Sequence, residues 1–409
     1  MELFDERLTR RRLLAAAAAG ALAGARPLDA LARAASAAGR ALPTPEHSGL
    51  DHVVVVMMEN RSFDHLLGWL PGADGKQAGL TYLDGAGVAH STFPLAPDFQ
   101  GCGHADPDHS FDGARAEWNN GACDGWLRAG ANDIYSIGYY QRQDLAFFGK
   151  AAPAFTVCDR FFASFLGPTF PNRFYSLSAA TDRTSNTYVT VQLPTIFDRF
   201  AAKRIPAAYY FGSFPFLALY GSRYQGISYA YSRFFAQCQT GKLPALSYID
   251  PNFTFDDTGP ASGNAGNDDH PHADIRAGEY FLSTIYNALT RSPAWPRTLL
   301  VITFDEWGGF FDHVPPPAAA ADADPAYVQR GFRVPCVLIS PFARRGHVAH
   351  GVYDHTSILK LLEWRWRLAP LSPRDAHANN LADALDFRHR HLATPKISAP
   401  RLVAGAACP

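Results

Sequence analysis

Val53-Val54-Val55-Val56-Met57-Met58-Glu59-Asn60-Arg61-Ser62-Phe63-Asp64-His65 decides how the rest of the chain is read. The unbroken apolar run predicts a strand over 52–58 that is buried on both faces, as in a parallel sheet. It ends abruptly on a carboxylate and an amide, and Ser62 then reads as the N-cap of a short helix closing near Gly68. In α/β sheets ligands bind beyond the carboxyl ends of the strands. Glu59 and Asn60 are therefore candidate ligands for a hard metal ion, against the plainer reading that they cap a strand end.

The same pattern returns downstream. Thr298-Leu299-Leu300-Val301-Ile302-Thr303-Phe304 runs into Asp305-Glu306 and then Trp307-Gly308-Gly309. Two adjacent carboxylates after a buried strand raise each other's pKa unless a cation compensates them. The glycines let the backbone pass close to that place. Further apolar runs at 154–158, 206–211, 244–249 and 334–340 alternate with helical patterns at 171–180, 273–290 and 355–368. The alternation predicts an α/β sheet covered on both faces. Long loops are expected at 71–125, 212–232 and 251–272, and 370–409 reads as a surface extension.

Thr169 is the candidate nucleophile, within Gly167-Pro168-Thr169-Phe170-Pro171-Asn172-Arg173. Pro171 suits a first helical turn, where backbone N–H groups and the helix dipole stabilise an alkoxide or a phosphate oxygen. The competing reading makes Thr169 an ordinary N-cap. His109, His270, His313 and His355 each neighbour Asp residues, and imidazoles there suit proton transfer or phosphoryl binding.

Composition narrows the classes. The 409 residues are 47% hydrophobic with a net charge of −1 and no basic stripe, so nucleic acid is not expected as a partner. The six cysteines show no CxxC spacing, which argues against a zinc–thiolate site; Cys102 and Cys123 are the expected pair if a disulfide forms. Thr9-Arg10-Arg11-Arg12-Leu13-Leu14 opens a short, Ala-rich apolar stretch, and Ala35-Ser36-Ala37 fits a cleavage site. Residues 1–37 thus read as a Tat export signal, with the Tat translocase a partner during export and a periplasmic or extracellular destination. No segment of the mature chain reads as transmembrane.

Taken in order, MMENRSFDH, GPTFPNR, NDDHPHADIRAGE, TFDEWGGFFDHVPPP and YDHTS resemble the secreted bacterial phosphoesterases of the phospholipase C and acid phosphatase A type, in the alkaline phosphatase superfamily. The resemblance covers about 50 to 360. It implies a three-layer αβα sandwich with a central, mostly parallel sheet and long active-site loops, and a catalytic domain over 48–370 with an extension at 371–409. It implies a phosphoryl-enzyme mechanism in which Glu59, Asn60, Thr169, Asp305 and Glu306 hold one divalent metal ion (Ca, Mg, Mn, Zn or Fe). Thr169 attacks phosphorus, and His109, His270 and His313 bind the phosphoryl group or handle protons. The segment from Asp108 through Glu117-Trp118-Asn119-Asn120-Gly121 leans towards phospholipase C on phosphatidylcholine-type diesters. A broad acid phosphatase on small phosphate monoesters and a non-catalytic secreted binding protein stay open. Trp307 departs from the usual His or Asn and is expected to alter the pocket wall.

Overall fold

The computed structural model describes residues 42–254 and 266–401. Residues 1–37, read above as an export signal, Cys408 and part of the third long loop lie outside the described residues. The central sheet has eight strands: β1 His52–Met58, β2 Thr156–Cys158, β3 Ala207–Phe211, β4 Ser228–Ala230, β5 Leu246–Ile249, β6 Thr298–Phe304, β7 Cys336–Ile339 and β8 His347–Ala349. Their order is β8-β2-β7-β6-β1-β5-β3-β4. All neighbours are parallel except β7, which runs against both β6 and β2.

The two acidic motifs sit on adjacent central strands. β1 pairs with β6 from His52↔Thr298 to Met58↔Phe304, so Glu59 and Asp305 leave the sheet side by side. Both strands are continuous apolar runs, buried throughout apart from His52, as a strand between two helical layers must be.

Seven helices matter below: α1 Phe63–Leu67, α2 Phe111–Trp118, α3 Thr169–Ser178, α4 Ile196–Ala202, α5 Tyr231–Thr240, α6 Ile275–Thr290 and α7 His355–Trp366. The chain steps from β4 through α5 to β5, and through α6 to β6, in one direction across the sheet. It crosses from β2 through α3 and α4 to β3 in the other. Right-handed crossovers then place α5 and α6 on one face and α3 and α4 on the opposite one, where α7 packs on α3. This is the αβα sandwich expected from the resemblance.

Some expectations needed correction. The loop 71–125 contains helix α2, capped by Ser110, whose hydroxyl accepts from Gly113 N at 3.0 Å. Its apolar positions are too few to announce a helix by periodicity. Within the surface extension read at 370–409, residues 381–399 pack on the domain: Leu381, Ala382, Leu385 and Ile397 are buried, and Tyr286 and Asn287 of α6 donate to the carbonyls of Pro395 and Ile397 at 2.7 and 2.8 Å. The strap covers an α6 face that would otherwise meet water. Cys102 is disulfide-bonded, but Cys123 is a buried free thiol, so the expected Cys102–Cys123 pair does not form. Among the described residues no helix is long and apolar enough to cross a membrane.

Candidate active site

The site lies beyond the carboxyl ends of β1, β5 and β6. Backbone bonds join the two motifs there: Asp305 N donates to Met58 O and Arg61 N to Glu306 O, both at 3.1 Å. Asn60 adopts a positive φ of 59°, a conformation Asn tolerates better than most residues. Its N–H reaches Asp305 Oδ1 at 3.2 Å. Gly308 and Gly309 meet the role expected of them. A Cβ at Gly308 (φ 66°) would lie 2.1 Å from Asn60 O, and one at Gly309 would lie 2.6 Å from Pro107 Cβ. Gly308→Ala should therefore cost about 2 kcal/mol or more and displace Asn60. A urea midpoint and kcat/KM measured on the same preparation would show both losses, whereas unchanged values would place no close approach there.

Arg173 occupies the centre of the acidic cluster. Its guanidinium meets Asp250 Oδ1 at 2.9 Å, Asp305 Oδ2 at 3.0 Å and Glu59 Oε1 at 3.2 Å, and it is buried with all three. Asp250 follows β5 directly and is a third acidic strand end. Neither residue is among those expected from sequence, yet both carry a signal: Arg173 stands four residues after Thr169, hence on the same helix face, and Asp250 repeats the strand-then-carboxylate pattern. Thr169 opens α3 one turn before Arg173 and lies on the same face of that helix. The N-cap is Pro168, and Phe170 N donates to Asn186 Oδ1 at 2.8 Å. The hydroxyl of Thr169 is thus not spent on capping.

His109 and His270 meet at this place with rings 5.7 Å apart and edge-on. His109 Nδ1 is fixed on Pro107 O at 2.8 Å and His270 Nδ1 on Pro271 O, which turns each Nε2 inward. His109 Nε2 lies 3.2 Å from the Asn60 amide and 4.0 Å from Glu306 Oε1; His270 Nε2 lies 3.8 Å from Asp106 Oδ2. Burial alone depresses both imidazoles, but carboxylates outweigh it and hold them above the usual range: Glu306 and Asp106 for His109, Asp106 and Asp268 for His270.

His313 is placed elsewhere. Its Nδ1 pairs with Asp64 Oδ2 at 2.5 Å and its Nε2 with Asp74 Oδ1 at 3.2 Å, while Arg333 binds Asp64 and Asp312. These contacts tie α1 and the 71–80 segment to the extended segment around Arg333 that leads into β7, and they leave neither His313 nitrogen facing Glu306. His355 is buried at the start of α7 and lies 2.9 Å from Phe304 O through Nε2, so it supports the end of β6 from below. Trp307 donates to Glu117 Oε2 at 2.7 Å and packs on Phe332. It anchors α2 to the core rather than lining a pocket.

The carboxylates outnumber the cations. Burial pushes Glu59 and Glu306 well above the usual carboxyl range, opposed by Arg173 for the first and His109 for the second, and burial raises Asp250 as well. One guanidinium meets Glu59, Asp250 and Asp305, and Glu306 faces His109 Nε2 at 4.0 Å. Asn60 Oδ1 and Glu306 Oε1 are buried with no hydrogen-bond partner. Unpartnered oxygens beside surplus buried carboxylates are what a cation satisfies, and the donor set fits a divalent ion.

The phosphoesterase family profile matches residues 50–369. The chain belongs to that family. The phosphoesterase is 32% identical to non-specific phospholipase C6 of Arabidopsis thaliana, over 86% of this chain and 74% of the relative. It is 30% identical to phospholipase C A of Mycobacterium tuberculosis, over 94% of this chain and 86% of the relative. It is also 30% identical to the non-hemolytic phospholipase C of Pseudomonas aeruginosa, over 86% of this chain and 60% of the relative. The phosphoesterase is accordingly a hydrolase of phosphoester bonds, which sets aside the non-catalytic binding protein.

Proposed function

We propose that this phosphoesterase is a metal-dependent phospholipase C that cleaves phosphatidylcholine-type diesters through a covalent intermediate on Thr169. The observation that carries the reading is the convergence of the Thr169 face of α3 on three acidic strand ends. Glu59, Asn60, Asp305, Glu306 and the Thr169 hydroxyl would hold the ion. Their all-oxygen character favours Ca²⁺, Mg²⁺ or Mn²⁺, and the superfamily leaves Zn or Fe open. When bound, the cation polarises the phosphoryl oxygens and lowers the pKa of the hydroxyl.

The chain's own groups do the rest. Thr169 Oγ1, entering as the alkoxide after its proton has gone to solvent, attacks phosphorus at the positive end of α3, and the bond to the diacylglycerol oxygen breaks on the far side; the same alkoxide is released when the ester is hydrolysed. His270, whose protonated form Asp106 and Asp268 favour, gives its proton to the departing alkoxide. His109, seated between Asn60 and Glu306, contacts a phosphoryl oxygen. Water then hydrolyses the phosphocholine–threonine ester, with the neutral His270 as base. Arg173 keeps Glu59 and Asp305 in place while this proceeds. Export by the Tat pathway to the periplasm or beyond belongs to the same proposal and draws on the twin-arginine segment.

Paired assays test the substrate class. Turnover of p-nitrophenylphosphorylcholine should exceed that of p-nitrophenyl phosphate, and exhaustive chelation should abolish it. Preference for the monoester would make the protein an acid phosphatase with the same centre. Chelation should also lower the thermal midpoint, and the restoring cation should raise it by an amount equivalent to a few kcal/mol, about 3 at saturating ion. A midpoint and an activity both indifferent to metal would remove the ion from the account.

A further inference from the structure

The loop 182–191 follows α3 and folds back over its first turn. Asn186 Oδ1 accepts from Phe170 N at 2.8 Å, and the Tyr188 ring meets the Phe170 ring edge-on at 5.2 Å. Phe170 is the residue after Thr169, and Phe216 closes on its ring at 5.4 Å. The loop tip therefore stands beside the nucleophile.

Its exposed side chains are apolar. Tyr188 is 66% exposed and Val189 64%, while Phe214, two residues before Phe216, is 37% exposed. Single exposed apolar residues are ordinary on any surface. Here the loop is held in place: Arg183 lies 5.0 Å over the Phe174 ring of α3 and donates to the carbonyls of Thr187 and Val189, and Val191 N donates to Leu219 O at 2.8 Å. From 184 to 197 the sequence holds no Lys, Arg, Asp, Glu or His, only hydroxyl, amide, aromatic and aliphatic residues with one proline. An uncharged tip with tyrosine and valine outward suits the headgroup region of a bilayer, where aromatic rings settle and formal charge is not required.

We infer that the loop 182–191, with Phe214, is the surface by which the enzyme settles on a zwitterionic phospholipid interface, with the Thr169 end of α3 facing the lipid. The inference rests on the lipid substrate proposed above. The absence of charged residues from 184 to 191 commits it to a neutral interface rather than an anionic one. The loop needs no lid movement: it brings the mouth of the site to the level at which a headgroup lies.

The test uses the full chain with Thr169→Ala, so that binding is read without hydrolysis, and phosphatidylcholine vesicles in low and high salt. Tyr188→Ser with Val189→Ser should lower vesicle partitioning on the order of tenfold, and Val189→Trp should raise it severalfold, a gain that misfolding cannot imitate. Salt should matter little. With Thr169 restored, the double variant should lose vesicle hydrolysis and keep p-nitrophenylphosphorylcholine turnover. The inference is overturned if the parent does not bind these vesicles, if the double variant binds as well as the parent, or if binding requires anionic lipid and disappears in salt. It is also overturned if both substrates fall together. Vesicle binding through the loop without hydrolysis of phosphatidylcholine by the active enzyme would instead refute the proposed substrate and leave the docking surface standing.

Discussion

Thr169→Ala should lower phosphodiester turnover by about 10³-fold or more while changing the unfolding free energy by less than about 1 kcal/mol. The asymmetry follows from the geometry. Thr169 is the first residue of α3, its hydroxyl caps nothing, and Pro168 and Asn186 already manage that helix end. Removing the hydroxyl deletes a nucleophile and one candidate metal ligand but no structural bond. A folded variant that keeps a tenth or more of the activity would show that another group, or water directly, attacks phosphorus. Thr169→Ser keeps a hydroxyl at the same position and should keep measurable turnover, which separates loss of the nucleophile from a disturbed helix start.

Arg173→Ala should affect stability and activity together. The guanidinium joins Glu59, Asp250 and Asp305 and also reaches the carbonyls of Met57 and Met58 at 3.3 Å. Deleting one partner of a buried ion pair leaves uncompensated charge and costs about 3–5 kcal/mol. The sign of its pH dependence is determined. Glu59 and Asp250 already have folded-state pKa values above their unfolded values, and loss of Arg173 raises them further. A carboxyl raised on folding favours the native state at low pH, and this advantage disappears as pH rises through the folded value. The penalty should therefore be smallest near the unfolded carboxyl range and grow towards neutrality. Arg173→Lys retains charge but cannot fork to three carboxylates. It should fold, with kcat reduced on the order of 10²-fold through misplaced Glu59 and Asp305. Denaturant midpoints across pH, with added divalent cation in a second series, would check this; a penalty independent of pH would mean that Arg173 acts by packing alone.

The central sheet was legible because burial on both faces leaves a clear mark. Residues 52–58 and 298–304 are unbroken apolar runs, and both are strands with those bounds. Their polar ends were legible for the same reason: a carboxylate directly after such a run is conspicuous. Asp250 belongs to that pattern, but β5 is short and its run, Leu246–Ile249, contains Ser247 and Tyr248, so the contrast at its end is weaker. Arg173 leaves no such mark, since its carboxylate partners Glu59, Asp250 and Asp305 come from distant strand ends that only the fold brings together.

The loops were less legible. Helix α2 has few apolar positions and is held by Trp307 through Glu117, a contact between residues 190 apart in sequence. No local pattern encodes such a contact. The divergence of the histidines has the same origin. His109 and His313 both neighbour aspartates in loops, and only the tertiary path sends one to Asn60 and Glu306 and the other to Asp64 and Asp74.

The most direct measurement is peptide mapping of the enzyme quenched in acid during turnover of a phosphocholine diester. A phosphocholine adduct on the peptide containing Thr169, formed within one turnover and absent in Thr169→Ala, is the predicted result. Full turnover with no adduct on any time scale, or an adduct on a different residue, would contradict the account.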